Sequence, residues 1–298
     1  MRRFVLTTVV CLFLGLPAFS QVTWLEDWTA ALRASASSGK LVLVDVTGSD
    51  WAPPARRQDL EVFSQPEFAK AADTYILLRL DFPHNASQSE KTRAQNAQLA
   101  KRFPLDNVPT TLLVDKFGFV WGLHEGAVDG GPQAYLDLAA ELVKQKADLE
   151  ALKKTADAAA TATASAKATA FHAMFDRADK AGLAWEFSEL PAQIIALDKG
   201  NKLGLANRYQ VYNRYTRLLA TWAGREDYTT VVKDLDDLAK AAKDQADLKQ
   251  KIVFTRAMVQ LNALRDELGA RASFREALSL GANTFEGKRS LRLLSELP

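Results

Sequence analysis

Trp51-Ala52-Pro53-Pro54-Ala55 is the stretch that decides the fold. It follows an apolar run ending in an acid, Leu41-Val42-Leu43-Val44-Asp45, and a short turn, Val46-Thr47-Gly48-Ser49-Asp50. A continuous apolar run of that length suits a strand buried on both faces. Pro53 and Pro54 stiffen what comes next and bias Ala52 away from helix. An amphipathic segment with Leu60 and Phe63 on one face then predicts a helix. The local reading is strand, turn, helix, with the Trp-x-Pro-Pro-x element at the helix start.

Outward from this stretch, residues 21–148 alternate between strand and helix patterns. Trp24 and Leu25 with Trp28, Ala31 and Leu32 read as an early helix, and Pro66 to Ala72 as a short one with Ser64 as its cap. Tyr75 to Asp81 reads as a second strand, and Glu90 to Phe103 as a helix after a polar loop, Pro83 to Ser89. Val108 to Asp115 and Lys116 to Trp121 form a strand pair around Gly118, and Gly130-Gly131-Pro132 precedes a last helix. This order indicates an α/β domain. Residues 149–170 include the alanine-rich Ala158 to Ala164 and read as a linker or helical extension. Residues 171–298 show no strand pattern. Four helical stripes are built on Phe187, Leu190, Ile194 and Leu197; on Tyr209, Tyr212, Tyr215, Leu219 and Trp222; on Tyr228, Val231, Leu235, Leu238 and Ala242; and on Phe254, Ala257, Leu261, Leu264 and Leu268. They suggest an all-α domain of helical hairpins. The aromatic stripes are read as core, with a ligand groove lined by the tyrosines as the alternative.

These pieces resemble the thioredoxin-like superfamily, in particular exported bacterial members with a Gly-Ser-Asp-Trp-Cys-x-x-Cys site. The resemblance rests on Gly39 to Asp45, Thr47 to Trp51, Glu61-Val62-Phe63, Leu80-Asp81-Phe82-Pro83 and Val108-Pro109-Thr110, in family order over roughly residues 24–145. It implies a central mixed sheet flanked by helices. It also places Ala52 and Ala55 where the family has its two cysteines. In active relatives the first thiolate, its pKa lowered at a helix start, attacks a disulfide and the second resolves the mixed species. A methyl group has neither proton to lose nor lone pair to offer, so disulfide exchange through this motif is excluded. Asp45 matches the family's buried acid, here read as a strand-end carboxylate held by a lysine or water. Pro109 matches the cis-proline, and Val108 before it takes the part that pairs with an extended peptide. With Trp51 alongside, Val108 and Pro109 form a candidate peptide-binding surface that needs no cysteine. The identification requires a helix to begin beside position 52, close to Pro109.

The rest of the sequence narrows the function. Arg2 and Arg3, the apolar run Phe4 to Leu16 and Ala18 and Ser20 have the layout of a signal peptide over residues 1–20, cut before Gln21, with an uncleaved anchor as the alternative. Export to the periplasm or medium is therefore expected. Cys11 is the only cysteine, so a mature chain would hold no disulfide and no thiolate. Of the 38 basic side chains, those left after Arg2 and Arg3 equal the 36 acids, which gives no reason to expect nucleic acid. His84, His124 and His172 lack metal-ligand spacing. No phosphate loop, dinucleotide fingerprint or serine elbow appears, so neither cofactor nor metal is expected. Arg56 and Arg57 read as a solvated pair or as an anion site, and Asn85-Ala86-Ser87 as a glycosylation acceptor. The expected function is non-catalytic binding of a peptide or protein partner, escort or chaperone-like. Assembly through the helical half is the alternative. A glutathione-transferase-like enzyme using Ser49 is more remote, because Asp115-Lys116 stands where that family grips glutathione.

Overall fold

Asp27 starts the first helix by accepting the Ala30 amide on its carboxylate at 2.9 Å. In the computed structural model, which describes residues 22–103, 107–159, 163–222 and 226–297, that helix is α1, Trp28–Ser38. The expected signal segment and Cys11 lie outside the described residues. Trp24 and Leu25 are extended rather than helical: Leu25 accepts from the Arg79 amide at 2.8 Å and donates to the Leu77 carbonyl at 2.9 Å. This contact satisfies backbone groups on a sheet edge and lays Trp24 over Phe68, with ring centroids 5.9 Å apart.

The sheet has four strands: β1 (Val42–Thr47), β2 (Ile76–Asp81), β3 (Thr110–Val114) and β4 (Val120–Glu125). Their order is β2-β1-β3-β4, with β1 parallel to β2 and the other pairs antiparallel. Every residue of β1 is buried, as a central strand covered on both faces requires. The face bearing Leu43 and Leu113 packs against Phe63, Phe68, Tyr135 and Leu142. Between β1 and β2 run α2 (Pro53–Gln58), a π-helical turn (Asp59–Phe63), a 3₁₀ turn (Pro66–Ala69) and α3 (Lys70–Thr74). Ser64 is not the cap expected there. Its hydroxyl donates to the Leu60 carbonyl, and the 3₁₀ turn starts after Gln65. Helix α4 (Glu90–Arg102) follows, capped by Ser89, which accepts from the Thr92 amide at 3.0 Å.

The chain divides into two compact units, Met1–Asp148 and Leu149–Pro298. Helix α5 spans Gly131–Ala158, and α6 (Ala164–Lys180) makes the second flank of the alanine-rich stretch helical too. The second unit continues with α7 (Leu190–Leu197), α8 (Leu205–Trp222), α9 (Tyr228–Ala241), α10 (Ala246–Asn262), α11 (Glu267–Leu280) and α12 (Phe285–Glu296). Three expected stripes fall on helices or their lead-in turns. The fourth is broken. Helix α10 ends at Asn262, Leu264 lies in the connection, and Leu268 on α11 is 83% exposed. Asp266 caps α11 by accepting the Gly269 amide at 2.9 Å, so Gly269 lies within a helix instead of ending one.

Candidate functional site

Helix α2 begins at Pro53, with Ala52 as its extended N-cap at φ −88° and ψ 107°. Proline at that position loses no hydrogen bond. Both methyl groups are in the interior: Ala52 and Ala55 are each 3% exposed. The Val108–Pro109 peptide is cis. Because Val46 pairs with Thr110, Pro109 enters β3 at the sheet end where β1 delivers the Gly48–Trp51 turn. Among the described residues, the backbone N–H and C=O of half-buried Val108 have no hydrogen-bond partner, whereas the Pro109 carbonyl accepts from Gly126 at 2.8 Å.

A second set of residues frames the motif, and nothing in the local sequence pattern announced it. The Asp50 carboxylate accepts three backbone amides, from His84, Asn85 and Ala86, at 2.9, 2.6 and 2.9 Å. Those bonds, that of His84 foremost, hold its pKa down at about 2. Trp51 donates its indole N–H to the Phe82 carbonyl at 2.8 Å and stacks on His84 with centroids 4.6 Å apart. Ser49 donates its amide and hydroxyl to Asp81 at 3.0 and 2.6 Å. Asp81 thereby holds that hydroxyl within the frame. Gly48 is required by space: a Cβ there would stand 2.5 Å from the Trp51 ring. A cavity of about 520 Å³ opens beside Trp51, lined by Phe82, His84, Arg93 and Asn96 among others.

Asp45 is the fourth of six residues in β1, not a strand-end acid, and its partner is arginine instead of lysine. Arg79 Nε lies 3.1 Å from one carboxylate oxygen, while Arg79 Nη2 reaches Asp59 at 2.6 Å. Trp24 covers the same guanidinium at 4.7 Å. Among the described residues the other Asp45 oxygen has no hydrogen-bond partner. Burial pushes the Asp45 carboxyl up to about 7, against the opposing pull of Arg79. Of the two arginines considered as an anion site, Arg57 pairs with Asp129 at 2.8 Å on the open surface. Arg56 lines a separate cavity of about 460 Å³ with Asp59, Leu60, Phe63 and Arg79. His124 sits on β4, its pKa lowered by burial, and His172 meets the Tyr209 hydroxyl at 2.7 Å. Among the described residues no cluster of His, Cys, Asp and Glu could hold a metal, and no helix is long and apolar enough to cross a membrane.

Alanine at positions 52 and 55 leaves this helix start without sulfur for exchange. Residues 23–116 match a family model described as Thioredoxin-like. The chain is 29% identical over 94 residues to the Thioredoxin-related protein DsbJ of Chlamydia pneumoniae, covering 31% of this chain and 27% of that one. It is 25% identical over 128 residues to the Disulfide bond reductase DsbH of Chlamydia pneumoniae, covering 43% and 76%. It thus spans about a quarter of the length of DsbJ. A solved structure of a DsbH oxidoreductase superposes with a TM-score of 0.39 at 23% identity, covering 42% of this chain and 86% of that one. The matched segment takes in β1, the helix start at Pro53 and cis-Pro109, and on that ground residues 23–116 form a thioredoxin-like domain, related to Dsb-type oxidoreductases.

Proposed function

We propose that this protein binds extended peptides or unfolded protein segments outside the cytoplasm, without redox turnover. The observation that carries the reading is the Val108 backbone next to cis-Pro109, without a partner among the described residues, at the sheet end that also presents Trp51, together with methyl groups at positions 52 and 55. An extended ligand would pair its backbone with Val108 and lay a side chain against the Trp51–His84 stack. Asp50 and Asp81 act as positioning residues, because they hold the loop and the indole in place before any ligand arrives. The layout of Arg2 to Ser20 supports export, which N-terminal sequencing of the purified protein checks by starting at Gln21. Assembly through the helical unit is the second reading, favoured by the half-buried aromatics between α8 and α10.

Fluorescence anisotropy with a labelled, cysteine-free apolar peptide tests the first reading. Trp51→Ala and Val108→Pro, each shown to be folded by circular dichroism, are expected to weaken binding about tenfold or more, roughly 1.4 kcal/mol. Unchanged affinity in both variants would sink the reading. So would reduction of insulin disulfides above background by the wild-type chain.

A further inference from the structure

Helices α8 and α10 run in the same direction and are bridged by side chains. Arg208 reaches Asp247 with a bidentate pair at 2.9 and 2.5 Å, and about two turns further along each helix the Tyr215 hydroxyl meets that of Thr255 at 2.7 Å. A cavity of about 580 Å³ is lined by Leu219, Trp222, Tyr228, Thr255, Met258 and Asn262 among others. A second, of about 240 Å³, shares Leu219 and Thr255 and extends to Tyr212, Lys251, Asp179 and Glu286. The two cavities adjoin at Leu219 and Thr255 and follow both helices. From Tyr212 to Trp222 they run about 15 Å, at 1.5 Å per helical residue.

The two ends differ chemically. At one end Trp222, Tyr228 and Met258 are only half-buried, which leaves apolar surface and an adaptable thioether. Asn262 is exposed there, and among the described residues its carboxamide has no hydrogen-bond partner. At the other end Asp179 is neutralised by Lys251 at 2.5 Å. Glu286, in the first turn of α12, has no such partner among the described residues, so this end keeps a net negative charge. An apolar seat, an amide able to meet a peptide backbone and one uncompensated carboxylate, spread over a length that fits about four or five extended residues, define the ligand.

We propose that the groove between α8 and α10 binds an extended peptide, with an aromatic or large aliphatic side chain against Trp222 and Tyr228 and a lysine or arginine at Glu286 about four residues away. This site does not depend on the thioredoxin-like unit and goes beyond the reading given for it. The probe is a labelled Gly-Ser peptide carrying one phenylalanine and one arginine four positions apart, titrated into the full chain. Trp222→Ala and Glu286→Gln are each expected to weaken binding at least tenfold. Glu286→Lys is expected to lose this peptide and to gain one with glutamate in place of the arginine. That exchange keeps the test decisive even if Trp222→Ala unfolds. Equal wild-type affinity for the arginine and glutamate peptides overturns the proposal, as does equally strong binding of the arginine peptide by Glu286→Gln. Displacement of the peptide by a fatty acid, unaffected by Glu286→Gln, overturns it in favour of a lipid. Loss of binding in Trp51→Ala but not in Glu286→Gln assigns the peptide to the thioredoxin-like unit and overturns the groove.

Discussion

The two units of this chain spend their aromatic side chains differently. In residues 22–148, Trp24, Phe63, Phe68 and Tyr135 interlock with ring centroids 4.9–5.9 Å apart and fill one face of the sheet. In residues 149–297, Tyr209 and Tyr215 are buried, but Tyr212 and Trp222 on the same helix remain half-buried along a groove. A layered sheet core consumes its apolar surface and leaves binding to loops at the strand ends. Paired helices can bury one side of a stripe and leave its margin available. Two different ways of placing aromatic surface follow from one composition.

The strongest way to break that contrast is to restore sulfur to the first unit. The paired substitution Ala52→Cys with Ala55→Cys is expected to take insulin reduction from background to a readily measured rate, because the helix start and cis-Pro109 are in place and positions three apart in a helical turn suit a disulfide. If the two thiols oxidise to a disulfide and still reduce nothing, the frame has lost more than its cysteines.

A smaller effect is expected from Gly48→Ala. The added methyl group must displace an indole fixed by both a hydrogen bond and a ring stack. Such overpacking costs about 1–3 kcal/mol. Tryptophan emission should shift as Trp51 leaves His84, and an unchanged spectrum and melting temperature would refute the packing role.

The effect that needs the finest measurement is a pH slope. Below the ordinary carboxylate value of 3.8, Asp45 is protonated in both folded and unfolded chains. Between there and about 7 the unfolded chain releases a proton that the folded one keeps, so stability falls as pH rises, by at most roughly 1.4 kcal/mol per pH unit. Above about 7 the loss is complete. Asp45→Asn should flatten denaturation midpoints across that window, and an identical slope in the variant would show that Asp45 is ionised throughout.

Several features were legible before any coordinates. The apolar run at Leu41 to Asp45 marks a strand covered on both faces, and β1 is that strand. The Pro-Pro pair marks a helix start, which lies at Pro53. Other features depend on contacts across the fold. Arg79 is 34 residues from Asp45 and pairs with it only because β1 and β2 lie in parallel register. The clasp of Asp50 on residues 84–86 joins two loops through backbone amides, which carry no side-chain signature. Trp24 and Leu25 read as helix because their apolar spacing fits one, but an unpaired edge of β2 claims them as extended chain. The broken fourth stripe has a similar origin, since Asp266 starts a new helix where periodicity alone continues the old one.

By itself, the sequence settled the absence of a thiol pair at positions 52 and 55, because side-chain identity alone decides whether sulfur chemistry exists. It also set the alternation of elements in one half and the helical repeat in the other, through hydrophobic period. Tertiary structure decided which charges meet, which aromatics stay half-exposed and which loops are tied together through backbone amides. Those properties belong to juxtapositions between residues far apart in the chain, and local periodicity does not encode them.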